Sequence, residues 1–537
     1  MHQAKDIYVL GIHDGHTSGA VVLKNGVVVA GITEERLTNI KNKSGVPALS
    51  IQKVLDIAGI TAQDVTLIAV ASKFHMVVVP EVDNASVYFK LIATAAPYFH
   101  SKAFIRVAVE LLRRVRPRTD LVEALRIIGI DQVPMVYVEH HMAHAATAYY
   151  RRPWKNKTLI FTLDGTGDGL SATVSIGAGD TITRIAETSY FDSPSDNVYS
   201  NITEYLGLKR FEHEYKVMGL APYGNYKETI DVFRKIMRLN PTHPLEFENR
   251  TRYYHYQLQA LYRKHLFKKR FDHIAAGVQK FFEELVCSWV GEAIKVTGVH
   301  SIALSGGSFL NVKTNMLLRT MPEVSDMFIY PACDDSGIAE GAAIVAYISY
   351  CRDHHLPHSI RPLTDVYYGQ EFGEDAIVEF LKKKKLFRSA INVDAKHIAT
   401  LLAGGAIIAR CAGRDEWGPR ALGNRSIMAD PRDLRIVHRL NSAIKQRDFW
   451  MPFAPAMLAE DQPRYVKHNH FSPYMIEAFD TKEKSIDEII ATVHSADHTT
   501  RPMTVNEWNP QWQNIISEFK KITGVGALLN TSFNLHG

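Results

Sequence analysis

The chain has 537 residues, 46% of them hydrophobic and 22% charged. This composition excludes a disordered or low-complexity fibrous protein, and the length predicts two or three domains, because one core rarely serves so many residues. Lys and Arg number 62 against 57 Asp and Glu, and the net charge of +5 is too mild to argue for nucleic acid.

The N-terminus, MHQAKDIYVLGI, lacks the basic region, long apolar core and cleavage site of a secretory signal. No run of about 18 apolar residues follows, which is what a membrane span needs. The longest candidate, Val65 to Pro80, is broken by Ser72, Lys73 and His75. Cys287, Cys333, Cys351 and Cys411 are scattered with no Cys-x-x-Cys pair, which fits a reducing compartment and argues against a disulfide framework. The expectation is a soluble cytoplasmic protein with no membrane and no nucleic-acid partner.

In chain order, an apolar strand (Ile7–Ile12) leads into HDGHTSG, a second strand (Ala20–Leu23), a Lys24-Asn25-Gly26 turn and a third strand (Val27–Ile32). Asn-Gly between apolar runs is a strong hairpin signal. Ala48–Ala58 and Ala103–Arg114 carry apolar residues at helical spacing. The opening unit then recurs: strand Thr158–Leu163, DGTGDGLS, strand Ala172–Ile176, a turn at Gly177–Asp180 and strand Ile182–Glu187. Such a repeat reads as a paired nucleotide fold whose Gly-rich loops face each other across phosphates, or as two ordinary hairpins with polar tips. Residues 205–275, polar, aromatic and basic, read as an insertion that covers a site or shapes a substrate pocket. The basic stretches Arg113–Arg118, Arg263–Arg270 and Lys382–Lys385 read as solvated faces before anion sites. RDHHLPHSIRPL, after Cys351, reads as a linker, with a domain boundary near residue 360.

Four stretches carry chemistry. The chain is rich in histidine, 24 in all, and in His140-His141-Met142-Ala143-His144 a helix would put His140 and His144 one turn apart on one face, with His141 pointing elsewhere. Asp164 stands at the end of the strand that opens the second Gly-rich loop. Asp335, in PACDDSGIAEGAA, stands where strand Met327–Tyr330 turns toward a small-residue helix. Two imidazoles and two carboxylates suit iron, manganese or zinc. Ser305-Gly306-Gly307-Ser308, after strand Ile302–Leu304, reads as a phosphate contact or as a simple strand-to-helix turn. The densest block runs GRDEWGPRALGNRS from Gly413, then Asn441, Lys445, Arg447 and Pro452-Phe453-Ala454-Pro455. Its cations point to an acidic or phosphorylated substrate, over nucleic acid or an Arg-rich surface loop. Thr499-Thr500-Arg501-Pro502, and Asn530-Thr531-Ser532-Phe533-Asn534 after strand Ala527–Leu529, offer further oxyanion partners.

Together these blocks resemble the O-carbamoyltransferase family of natural-product tailoring enzymes, of the NodU, CmcH and TobZ type. The matching stretches are GIHDGHTSGAVVLKNGVVVAGITEERLTNIK, VEHHMAHAATAYY, TLDGTGDG, EYKVMGLAPYG, LSGGSFLN, PACDDSGIAEGAA, GRDEWGPRALGNRSIMADPR, LNSAIKQRDFWMPFAPAML, TTRPMTV and LLNTSFN, in the family's order. The resemblance implies an α/β protein: an actin-like ATPase (ASKHA) domain over 1–355 and a YrdC-like α/β domain over 363–537. The second would convert ATP and carbamoyl phosphate to carbamoyl adenylate. The first would transfer the carbamoyl group to a hydroxyl of a small-molecule acceptor beside a metal.

By position the resemblance carries over His140, His144, Asp164 and Asp335 as ligands of a divalent metal, with iron first. His16 becomes the base for the acceptor hydroxyl, with His13 its local rival. Lys216, Gly306, Gly307 and Asn311 become nucleotide-side residues, and Arg420, Lys445, Arg447, Arg501, Ser532 and Asn534 carbamoyl phosphate and ATP residues. Mg²⁺ would accompany ATP, and a homodimer is allowed for. The rivals are an actin-fold kinase, a threonylcarbamoyl-type transferase acting on RNA, and a non-enzymatic ATP-binding module. Two departures stand out. Met451 replaces an Arg common in relatives, and the chain stops at Gly537 where relatives continue, so a cut or lost last element is expected.

Overall fold

The β-rich opening folds as its apolar runs dictate. Val9, Leu10, Ile12, Val21, Val22 and Leu23 are all buried, which near-continuous apolar strands require when both faces are covered. The computed structural model describes residues 6–73, 118–251, 253, 257–389 and 392–535. The helix expected over Ala103–Arg114 lies outside the described residues, as does most of segment 75–125. The described chain is a mixed α/β protein that divides into two compact units, Met1–Leu363 and Thr364–Gly537.

In the first unit, β1 (Tyr8–His13), β2 (Gly19–Lys24), β3 (Val27–Thr33), β4 (Val65–Ala71) and β5 (Met135–Val138) form a sheet of order β3-β2-β1-β4-β5. β1 pairs antiparallel with β2 and parallel with β4. The expected hairpin turn is present, with Asn25 and Gly26 both at positive φ. A second sheet follows from β6 (Thr158–Gly167), β7 (Leu170–Ala178) and β8 (Thr181–Ser189). A short hairpin, β9 (Met237–Leu239) with β10 (Phe247–Asn249), lies inside the polar insertion. β11 (Ser301–Ser305) and β12 (Asp326–Ile329) complete the second sheet, in the order β8-β7-β6-β11-β12. Here too the first strand pairs antiparallel with the second and parallel with the fourth. The sequence repeat is therefore a repeat of sheet topology.

One detail differs from the sequence expectation. DGTGDG is not an open loop: β6 continues through it to Gly167, and the reversal is a tight turn at Asp168-Gly169, φ +49° and +89°. Asp-Gly suits such a turn because both central residues need positive φ. The basic stretches over Arg263–Arg270 and Lys382–Lys385 are exposed apart from buried Leu266. Arg118 is the exception to the solvated reading: it is buried and ion-paired with buried Asp14, Nε to Oδ2 3.0 Å.

The helix His140–Tyr150 begins at Glu139, whose carboxylate accepts the amides of His141 and Met142. It packs on β6 and on the helix Ile338–Asp353, which also covers β1 and β4. Inside that helix, buried Glu340 is paired with Arg151 at 2.9 Å and accepts the Tyr330 hydroxyl. In the second unit, β13 (Ile408–Cys411), β14 (Arg425–Ala429), β15 (Ala454–Leu458), β18 (Met503–Val505) and β19 (Ala527–Ser532) build a main sheet of order β13-β14-β19-β15-β18, and β16 (Phe479–Asp480) and β17 (Thr499–Thr500) pair separately.

Candidate metal centre and anion site

Three elements converge at the C-terminal ends of the first unit's strands. The helix His140–Tyr150 brings His140 and His144, β6 brings Asp164, and the turn before the helix Ile338–Asp353 brings Asp335. One ligand atom from each lies within 4.8 Å of the others. His140 Nε2 is 3.5 Å from Asp164 Oδ2 and 3.5 Å from Asp335 Oδ1. His144 Nε2 is 3.2 and 3.4 Å from the same two oxygens. Gly167 is required beside them, since a Cβ there would stand 2.0 Å from the His140 ring.

The electrostatics call for a cation. Burial raises the Asp164 carboxyl, but the His140 and His144 imidazoles outweigh it and hold Asp164 well below the usual range. Burial, reinforced by Asp164, pushes Asp335 well above it. Burial lowers His140, yet Asp335 and Asp164 together raise it overall. His140 Nε2 and Asp335 Oδ1 are buried without a hydrogen-bond partner among the described residues. Two imidazole nitrogens and two carboxylate oxygens aimed at one point, with orphaned atoms among them, fit a divalent metal.

The ligand orientations are held from behind. His140 Nδ1 is 3.2 Å from Ser72 Oγ, and His144 Nδ1 is 3.0 Å from Ser305 Oγ. Asp168 accepts the amide of His140 at 2.8 Å and that of Lys73 at 2.9 Å. His141 points away: its Nδ1 meets Thr162 Oγ1 at 2.8 Å, and burial, then the other two imidazoles, pull its pKa far down.

Both histidines of the first loop lie near this centre, but they differ. His13 is buried, donates Nε2–H to the His16 carbonyl at 2.9 Å, and sits 4.0 Å from Asp335 Oδ2. A carbonyl only accepts, so this bond fixes the His13 tautomer. Burial chiefly pulls its pKa down to about 3. The His16 ring is half-buried, with Nδ1 3.1 Å from Thr17 Oγ1.

Lys216 is half-buried on the helix Glu214–Leu220. Gly306, at φ +114°, gives its amide to the Cys333 carbonyl at 2.6 Å, so that N–H is not one a phosphate could take. A Cβ on Gly307 would stand 3.2 Å from Asp164 Oδ1, so this loop abuts the metal ligands. Asn311 caps the helix Val312–Arg319 and exchanges two amide hydrogen bonds with Gln279, at 2.9 and 3.1 Å.

The second unit holds a cluster of cations. Lys445 is buried, and its Nζ donates to Asn534 O at 2.7 Å, Asn534 Oδ1 at 3.1 Å and Ser532 Oγ at 3.3 Å. Ser532 and Asn534 thus cage the amine. Burial first, then Arg447, pulls the Lys445 pKa down to about 7. Arg501 has no hydrogen bond or ion pair among the described residues; burial first, then Arg420 and Arg447, lower its pKa. Arg447 also reaches Thr531 Oγ1 at 3.2 Å.

Two arginines of the dense block serve the protein's own backbone. Arg414 donates to the Gly369 and Tyr368 carbonyls. Arg425 pairs with Asp415 at 2.5 Å and donates to the carbonyls of Ala412, Gly413, Asn424 and Gln370. Both arginines are structural, because an irregular loop leaves carbonyls that only a donor-rich side chain can satisfy. Buried Glu416 shapes the same loop, its Oε1 accepting the amides of Leu422, Asn424 and Arg425 at 2.9, 2.9 and 3.1 Å. Sequence reasoning missed Ser72, Arg118, Asp168 and the structural role of Glu416. Only Asp168 carried a signal, as half of an Asp-Gly turn.

Residues 8–344 match the sequence model described as carbamoyltransferase N-terminus, and residues 399–537 that described as carbamoyltransferase C-terminus. Nodulation protein NolNO of Sinorhizobium fredii is 30% identical, over 97% of this chain and 74% of its own length. The Synechocystis sp. protein sll1178 is 29% identical, over 99% of this chain and 92% of its own. The 3'-hydroxymethylcephem-O-carbamoyltransferase of Amycolatopsis lactamdurans is 35% identical over 44% of this chain and 42% of its own. No described helix is long and apolar enough to cross a membrane.

Proposed function

Because this chain belongs to the carbamoyltransferase family and is a transferase enzyme, we propose that it carbamoylates a hydroxyl of a small natural-product acceptor, in two steps at two sites. The observation that carries this reading is the His140, His144, Asp164 and Asp335 group, which suits a transfer site and not a simple phosphate loop. Two features of the structure support the division of labour. The repeated strand order of the first unit suits the actin-like ATPase core of this reading. The cation cluster of the second, a YrdC-like domain in this reading, suits anionic substrates.

In the first step Arg420, Arg447 and Arg501 hold the phosphates of carbamoyl phosphate and Mg²⁺-bound ATP, and Lys445, with Ser532 and Asn534 around its amine, completes that group. Water cleaves carbamoyl phosphate to carbamate and phosphate. The carbamate oxygen then attacks the α-phosphorus of ATP, giving carbamoyl adenylate and pyrophosphate. In the second step the acceptor oxygen attacks the carbamoyl carbon, the bond to the AMP oxygen breaks, and AMP leaves. His16 takes the hydroxyl proton, because its ring is half-buried and open to an acceptor while His13 is buried. His140, His144, Asp164 and Asp335 would hold a divalent metal, iron in this reading, which when bound polarises the carbamoyl group as a Lewis acid. Lys216, Gly307 and Asn311 border the nucleotide side, and the polar insertion of residues 205–275 borders the acceptor.

The first test needs no acceptor. The chain with ATP, Mg²⁺ and carbamoyl phosphate should release pyrophosphate only when carbamoyl phosphate is present, and Arg501→Ala should abolish that release. ADP in place of pyrophosphate would overturn the proposal in favour of a kinase-type reaction.

A further inference from the structure

The two histidines of the metal centre are backed in the same way from the two halves of the repeat. β4 and β11 are equivalent strands, each the fourth in its sheet's order. Ser72 directly follows β4 and Ser305 ends β11. Ser72 Oγ stands 3.2 Å from His140 Nδ1, and Ser305 Oγ stands 3.0 Å from His144 Nδ1. All four side chains are buried.

Ser72 holds this position under strain. Its φ is +76°, a left-handed conformation that a serine adopts only when its surroundings impose it. The surroundings do so twice. Its amide donates to the Val138 carbonyl at 2.7 Å, and its carbonyl accepts from Arg118 at 2.8 Å. Arg118 is in turn fixed on Asp14. Ser305 is held by its strand, with the Cys333 carbonyl 3.5 Å from Oγ to take the hydroxyl proton.

We propose that Ser72 and Ser305 are paired positioning residues of the metal centre, each accepting the Nδ1–H of its histidine so that Nε2 presents a lone pair to the metal. This inference rests on the metal-centre reading above. An imidazole whose Nδ1 carries the proton has Nε2 free for coordination, and a fixed acceptor behind the ring also sets the ring plane. Without it, both tautomers and a swinging ring compete with binding.

The test is a Co²⁺ titration of the metal-free full-length chain, followed by visible absorption. Ser72→Gly removes the hydroxyl while tolerating positive φ, and Ser305→Ala removes the other within a strand. Each should weaken Co²⁺ binding by about tenfold to a hundredfold, the usual cost of losing such a partner. Ser72→Asn, which tolerates the same backbone and keeps an acceptor, should recover part of the loss.

Thr162→Val is the control. It deletes an equally buried hydroxyl bond, 2.8 Å to His141 on the same helix, but His141 does not face the metal. It should leave Co²⁺ affinity unchanged even where it lowers the melting temperature. Serine variants that bind Co²⁺ like the parent would overturn the inference, as would a Thr162→Val loss of equal size. A parent chain that binds no Co²⁺, or binds it as well after His144→Ala, would overturn the metal-centre reading itself and this inference with it.

Discussion

Carbamoyl phosphate binding to the second unit should draw a proton onto Lys445. The amine is buried in a cage of Ser532 and Asn534 oxygens, and burial, aided by the positive field of Arg447, leaves its pKa at about 7. At pH 8 about a tenth of the unliganded molecules then carry the ammonium, and at pH 6 about nine-tenths do. An anion bound among Arg420, Arg447 and Arg501 cancels part of that field and favours the charged amine. Uptake by Lys445 should therefore be larger at pH 8, where about 0.9 proton per ligand is the upper bound, than at pH 6, where the bound is about 0.1. Calorimetry in two buffers of different ionisation enthalpy measures the uptake, and subtracting the Lys445→Met result isolates the contribution of this residue. Equal uptake by parent and variant at pH 8 would refute the reasoning. The same shift acts on stability. The folded pKa lies below the unfolded value of 10.5, so the unfolded chain binds more protons between about pH 7 and 10.5. The penalty is fully present below pH 7, and stability should rise through that window. Lys445→Met should flatten the rise in urea unfolding.

Four further outcomes follow from the geometry. Arg501→Ala should abolish carbamoyl-phosphate-dependent pyrophosphate release with little change in the unfolding curve. Arg425→Ala should cost about 3 kcal/mol in urea denaturation, because it strands Asp415 and several carbonyls. A chelator of transition metals should lower the melting temperature, since a metal at a hundred times its Kd adds about 2.7 kcal/mol; scanning fluorimetry should show the drop in the parent and none in His144→Ala. Gly167→Ala would place a Cβ 2.0 Å from the His140 ring, and metal analysis of the purified protein should find the site depleted.

The parts of the site that were legible are those written in local pattern. His140 and His144 share a face because of helix periodicity alone, and Asp164 and Asp335 stood out because each comes after an apolar run in the sequence. The role of each arginine in the dense block was not legible. Arg414, Arg420 and Arg425 share one Gly- and Pro-rich stretch, and only the loop that Glu416 shapes decides which turn to carbonyls and which toward Arg501. The role of Ser72 was not legible, since a polar break in an apolar run says nothing of a histidine partner. The DGTGDG segment was read as a loop because its glycines mask a strand that runs through to Gly167.

The sequence by itself determined the repeated strand–turn–strand unit, the helix that opens at His140 and the family resemblance, because periodicity, caps and Asn-Gly or Asp-Gly turns act over a few neighbouring residues. Tertiary structure alone decided that a helix, a strand and a distant turn bring four ligand atoms within 4.8 Å of one another, and that Ser72 and Ser305 stand behind the two imidazoles. Those contacts depend on strand register and sheet order, which bring together residues with no local signal for each other.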